Sequence, residues 1–159
     1  MANISVASLD FVGSTSMYGQ SFTPNVVGPD GVGSVGSATQ VALNQITLGY
    51  PTPLMSGNSG NMYVFDSPIQ DPDDSCSPLG ATAVSSSCTD GSAFGTDSYT
   101  RTFSFSNETL QVGHTYYFYL PGADDVQYTS PAAYSGGQAI DCEGSPADLS
   151  LRFRVDLTV

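Results

Sequence analysis

Asp66, Asp71, Asp73 and Asp74 crowd the segment FDSPIQDPDD, the densest polar cluster in the chain. Carboxylate oxygens closely spaced on a turn are the hard ligands that Ca²⁺ takes, and the D-x-D-D run of Asp71, Asp73 and Asp74 offers several of them. The spacing lacks the glycine and the closing glutamate of an EF-hand loop, so the competing reading is a solvated acidic loop. Asp124 with Asp125, and Asp141 with Glu143 and Asp148, are weaker clusters of the same kind. Ca²⁺ held where two clusters meet at one end of a β-sandwich is the only cofactor the residues suggest.

Nothing orders an acid, a base and a nucleophile. Glycoside hydrolysis needs two carboxyl groups facing across a cleft, and neither Glu108, in a turn, nor Glu143, beside Cys142, is paired by pattern with any loop aspartate. His114, the single histidine, follows Gly113 at the start of an aromatic strand with no G-x-S-x-G elbow. It is expected to pack or hydrogen bond locally. The acidic neighbours of Cys142 raise a thiol pKa rather than lower it. The chain therefore reads as non-enzymatic, with no catalytic residues.

Two other residue types remain. Cys76 and Cys88 bracket a Ser/Pro/Gly loop that a disulfide between them would staple; pairings with Cys142 and the reduced state stay open. No CxxC occurs, so a zinc site is not expected. Tyr18, Tyr50, Tyr128 and Tyr134 fall at loop or strand-end positions, and Tyr128 and Tyr134 are the candidates for stacking a glycan ring, although the chain has no Trp. Phe103, Phe105, Tyr116 and Phe118 are assigned to the core.

The elements that position these residues are strands. Leu149 to Val159 alternates without fault, with Leu149, Leu151, Phe153, Val155, Leu157 and Val159 on one face and Ser150, Arg152, Arg154, Asp156 and Thr158 on the other. Ile4 to Val12 is a strand whose inward face changes near Ala7 and Ser8, from Ile4 and Val6 to Leu9 and Phe11. Phe22 sits in a short strand. In Thr39 to Tyr50 the alternation of Val41 and Leu43 gives way to Ile46 and Leu48, and Pro51 and Pro53 end the run. Met62 to Asp66, Tyr99 to Ser106 and His114 to Leu120 follow, with a turn at NETLQVG between the last two. The stretches 67–97 and 121–147 read as long loops, the first with one weak strand at Leu79 to Val84. No helical period appears, and the first and last strands are expected to be neighbours. The expectation is an all-β chain, one domain over 1–159, folded as an antiparallel β-sandwich, jelly-roll-like.

Composition narrows the partners. The chain has no lysine, three arginines, fifteen acidic residues and a net charge of -12. That charge repels phosphate backbones and anionic lipid, so nucleic acid is not an expected partner. Neutral sugars, cations and other proteins remain, and self-association into a homo-oligomer stays open. No apolar run reaches the roughly 18 residues of a membrane span, and MANISVASLDF lacks the basic start and apolar stretch of a signal peptide.

Four segments, GQSFTP at Gly19 to Pro24, LQVGHTYYFYL at Leu110 to Leu120, YSGG at Tyr134 to Gly137 and DLSLRFRV at Asp148 to Val155, together resemble a jelly-roll-like domain of secreted bacterial proteins, many of which carry a PEP-CTERM sorting tail. The order and rough spacing of the segments agree with that family over most of the chain. The resemblance implies a β-sandwich and a surface-exposed, non-enzymatic role, and it transfers no catalytic residues. Met1 to Val159 shows neither the family's leader nor its sorting tail. That departure favours a virion protein: a knob-like decoration protein on the surface of a phage particle, in contact with capsid or other virion proteins. The second expectation is a carbohydrate-binding or adhesive module of a secreted bacterial protein, extracellular and open to Ca²⁺ dependence. The two overlap, because a capsid appendage can itself hold surface glycans.

Overall fold

A computed structural model describes residues 2–53, 61–68, 84–95, 98–120, 125–141 and 145–159, and every regular element among them is a β-strand. In chain order these are β1 (Asn3–Ser8), β2 (Gly13–Thr15), β3 (Gly19–Phe22), β4 (Gln40–Tyr50), β5 (Tyr63–Phe65), β6 (Val84–Ser85) and β7 (Ser87–Gly91). They continue as β8 (Tyr99–Gln111), β9 (Tyr116–Tyr119), β10 (Val126–Thr129), β11 (Ala139–Ile140), β12 (Pro146–Ala147), β13 (Ser150–Leu151) and β14 (Phe153–Thr158). A five-stranded sheet runs β1-β14-β4-β8-β7, a six-stranded sheet runs β12-β11-β3-β9-β5-β6, and β13-β10-β2 form a third, smaller sheet. The pairings are antiparallel.

The two larger sheets form a β-sandwich around one apolar core. Ile4 and Val6 of β1, Leu43, Ile46 and Leu48 of β4, Phe103 of β8 and Phe153 and Val155 of β14 pack in one cluster with Phe22 of β3, Val64 of β5 and Phe118 of β9. The Phe118 and Phe153 rings, one from each sheet, lie 5.9 Å apart between centroids. Alternation builds most of this core, as in β14, where Phe153, Val155 and Leu157 are buried.

The C-terminal run keeps its alternation but serves two sheets. Leu151 pairs with Tyr128 in the small sheet, whereas Phe153 onward lies between β1 and β4. The switch falls at Arg152. Terminal strands β1 and β14 are neighbours, as expected, with Ile4 opposite Leu157. Ser150, on the face expected to point outward, is fully buried, and its hydroxyl accepts from the Tyr134 amide at 3.0 Å.

Several expectations need correction. The strand expected through Val12 ends at Ser8, and Leu9 and Phe11 form no second buried face: Phe11 is 48% and Val12 69% exposed. NETLQVG is not a turn, because β8 runs through to Gln111. Asn107 takes the positive φ of 54° that turn-forming asparagine tolerates, but it makes a bulge, with Ser104 opposite Gln45 and Glu108 already opposite Leu43. The loop expected at 121–147 contains β10, β11 and β12, and the one at 67–97 contains β6 and β7; the weak strand expected at Leu79 to Val84 lies, except for Val84, outside the described residues. The strands β6, β7 and β10 to β12 are only two to five residues long, so backbone pairing rather than a sustained apolar pattern defines them. The glycine-rich segment after Asn25 runs beside the free edge of β1: Ala7 donates to Val27, and Ser5 and Val32 exchange hydrogen bonds at 2.9 Å. An open edge is thereby covered.

Candidate functional site

The outward face of the five-stranded sheet carries mainly polar side chains, with Ala7 and Thr47 fully covered. Strand pairing aligns Ser5, Asp156, Gln45, Ser104 and Ser87 in one row across the sheet. The next row holds Ala7, Arg154, Thr47, Thr102 and Thr89, with the Thr47 and Thr102 hydroxyls 3.1 Å apart. Cross-strand partners share a face, so the amide, hydroxyl and carboxylate groups of the first row all point away from the core.

One end of this face is closed by a stack of guanidinium groups and rings. The Arg152 guanidinium lies 4.6 Å from the centroid of Phe11 and 5.2 Å from that of Phe94, and Arg154 lies 5.5 Å from the same Phe94. Planar cations over ring faces attract the ring quadrupole. Arg152 also donates through Nε to the Leu9 carbonyl at 2.9 Å and through NH1 to the Gln127 side chain at 2.8 Å. Burial lowers its pKa, while Asp10 and Asp30 act in the opposite sense. Its side chain crosses the sheet at Gly49, where a Cβ would lie 2.7 Å from Arg152 Cδ and 3.0 Å from Gln127 Oε1. The third arginine, Arg101, is 2% exposed, with Nε 3.2 Å from Asp90 and its guanidinium 5.6 Å from the Tyr50 ring. The cations of this acidic chain are thus engaged within its own structure.

Towards the other end of the face lies a hollow of about 270 Å³, lined by Asn3, Ile4, Asn44, Gln45, Asp156 and Leu157. Two irregularities meet there. Against β14, β4 carries Asn44 as an extra residue between Leu43 and Gln45, and against β8 the register shifts at the same place. A bulge lets two consecutive residues share one face. Asn44 donates to the Thr158 hydroxyl and Gln45 donates to Asp156 at 2.7 Å, while Leu43 and Ile46 on either side are fully buried. Arg154 Nε lies 3.2 Å from the Asp156 carboxylate, which is therefore oriented from two sides.

The residues singled out from the sequence are not brought together. Asp71, Asp73, Asp74, Cys76, Asp124, Cys142 and Glu143 lie outside the described residues. Among those described, no group of three His, Cys, Asp or Glu side chains is placed to hold a metal ion. Cys88 is a free, half-buried thiol, and burial raises its pKa, with Arg101 pulling it down and Asp90 adding to the rise. His114 is exposed and hydrogen bonds the Asp66 carbonyl through Nε2 at 2.6 Å, packing edge-on against Tyr116. Since a carbonyl only accepts, Nε2 carries the proton. Asp66 and Glu108 line a separate hollow of about 220 Å³ with Val64, Leu110 and Tyr116.

Tyr134 cannot stack a glycan. It is 1% exposed, its ring packs edge-on at 5.3 Å from Phe153, and its hydroxyl bonds the Thr23 backbone. Tyr128 is half-buried and packs against the core. The hollow at Asn44 was not singled out, but the sequence carried its signal: Leu43 to Ile46 is an odd step, which breaks the period of two and puts Asn44 and Gln45 on the same side. Against models of protein families, curated proteins and solved structures, the chain shows no match.

Proposed function

We propose that this chain is a non-enzymatic structural protein displayed on the surface of a virus particle, a knob-like decoration protein of a phage. The observation that carries this reading is strand order. The set β1-β14-β4-β8 packs against β3-β9-β5-β6, an order that supports a jelly-roll reading, the architecture used by viral capsid and lectin domains. The step from architecture to role is an analogy of fold. An acidic surface with its arginines engaged internally also favours protein or glycan partners over nucleic acid. Mass spectrometry of particles purified on a density gradient from the source culture tests the reading. Recovery of the chain in fixed proportion to the shell protein supports it; recovery only in the particle-free supernatant overturns it.

The polar face of the five-stranded sheet favours a second reading, a carbohydrate-binding or adhesive module of a secreted bacterial protein. Hydroxyl, amide and carboxylate groups in register are the groups that exchange hydrogen bonds with sugar hydroxyls, and Ca²⁺ bound by Asp71, Asp73 and Asp74 would add a metal dependence. Binding on a glycan array with and without Ca²⁺ tests this reading, and failure to bind any glycan in both conditions overturns it.

A further inference from the structure

We infer that the hollow at the Asn44 bulge is a subsite for one residue of a neutral glycan, an inference that rests on the carbohydrate-binding reading above and assigns it a place. Three observations converge. First, the bulge in β4 turns Asn44 and Gln45 to the same side, where a regular strand would bury one of them. Bulges of this kind re-aim side chains beside functional sites.

Second, the polar groups are held in place yet keep bonding capacity. Asp156 receives hydrogen bonds from Gln45 and Arg154, and an ionised carboxylate has about four acceptor positions, which leaves some for ligand hydroxyls. The Asn44 and Gln45 amides line the hollow and are each anchored by one donated bond, to Thr158 and Asp156; an amide has a second N–H and a carbonyl oxygen beyond that bond. Asn3, exposed on the neighbouring strand, supplies an amide that both donates and accepts. A carboxylate fixed between an arginine and an amide, with further amides around it, suits adjacent hydroxyls that donate and accept together.

Third, size and charge select the ligand. A volume of about 270 Å³ lies just below the roughly 300–1,000 Å³ of sites for drug-sized ligands and suits a single sugar ring. The Arg154 charge is already matched by Asp156, and the net charge of -12 disfavours sulfated, phosphorylated or uronic acid ligands. The ligand is therefore an uncharged sugar.

The test is an array of neutral hexose and pentose oligosaccharides probed with the intact chain, followed by calorimetric titration of the strongest ligand. Three variants are compared: Asn3→Ala, Asp156→Asn, and Ser14→Ala, exposed on β2 in the small third sheet. Loss of one or two hydrogen bonds predicts binding weakened about tenfold in Asn3→Ala and Asp156→Asn, with Ser14→Ala unchanged. Asn3 is exposed, so Asn3→Ala carries the test even if Asp156→Asn fails to fold. Binding left intact by Asn3→Ala and by any folded Asp156→Asn overturns the subsite while the carbohydrate-binding reading stands. An array with no neutral ligand overturns the subsite, and the carbohydrate-binding reading falls with it only when charged glycans also fail to bind, with and without Ca²⁺; the decoration reading stays in place.

Discussion

The Tyr134 hydroxyl and the Thr23 backbone hold each other in both directions: the hydroxyl donates to the Thr23 carbonyl at 3.1 Å and accepts from the Thr23 amide at 2.9 Å. The contact ties the segment after β10 to the end of β3. The Gly136 position must accommodate it, since a Cβ there would lie 2.3 Å from the hydroxyl and 2.8 Å from Val26 Cβ. Thr23 closes the arrangement by donating from Oγ1 to the Gly136 carbonyl at 2.8 Å. The YSGG segment is therefore a fastening of the sandwich, with the tyrosine pointing inward.

Tyr134→Phe removes both bonds but keeps the ring against Phe153. Leaving two partly buried backbone groups without their partner costs about 1–3 kcal/mol, a fall in Tm of about 2–4 °C per kcal/mol for a chain of this size. Thermal denaturation of the variant measures it, and an unchanged Tm would remove Tyr134 from this role.

The same residue sets an alkaline limit. Burial pushes the Tyr134 phenol from 10.0 up to about 12, while its hydrogen bond to Thr23 acts more weakly in the opposite sense. The folded chain therefore holds this proton more tightly than the unfolded chain. The stability this contributes, about 2–3 kcal/mol, is complete below pH 10 and is lost as pH rises from about 10 to about 12. Urea titrations across that window should show wild type losing more stability than Tyr134→Phe, and parallel losses would contradict the assignment.

Arg152 is expected to resist replacement by lysine. An ammonium cannot reproduce the fork that meets Leu9 and Gln127 or stack as a plane on Phe11 and Phe94. Arg152→Lys should cost about 1–3 kcal/mol and speed amide exchange over Leu9 to Val12, where the Val12 amide donates to Tyr128 at 2.8 Å. Gly49→Ala should weaken the same stack by pushing on Arg152 Cδ. Exchange rates at wild-type values in both variants would mean that the loop holds without the stack.

Cys88 should react slowly. Its half-buried thiol has a pKa raised above 9.0, and the thiolate is the reactive form. Site-resolved mass spectrometry after iodoacetamide treatment should show Cys88 alkylation still climbing above pH 9. Complete labelling within minutes at pH 7 would contradict the burial.

The sandwich was legible wherever apolar residues keep a period of two. Leu151 to Leu157, Val41 with Leu43, and Phe103 all lie in the core as their spacing requires. β10 to β12 were not legible, because pairs such as Pro146–Ala147 are strands only through their partners. Tyr134 was misplaced because a tyrosine close to two glycines has the composition of an exposed turn; its burial comes from partners distant in sequence, the Phe153 ring and the Thr23 backbone. Arg101 followed the alternation onto the face of Phe103, and Asp90 with Tyr50 made that position tolerable for a cation. The hollow at Asn44 was written as a phase slip, but its carboxylate comes from Asp156 on another strand.

The proposal that the chain decorates a phage particle is best checked by sequencing the source DNA on both sides of this reading frame. Flanking capsid, portal and tail genes are the expected result. Flanking genes for exported bacterial proteins, with a secretion leader on the frame, would overturn it.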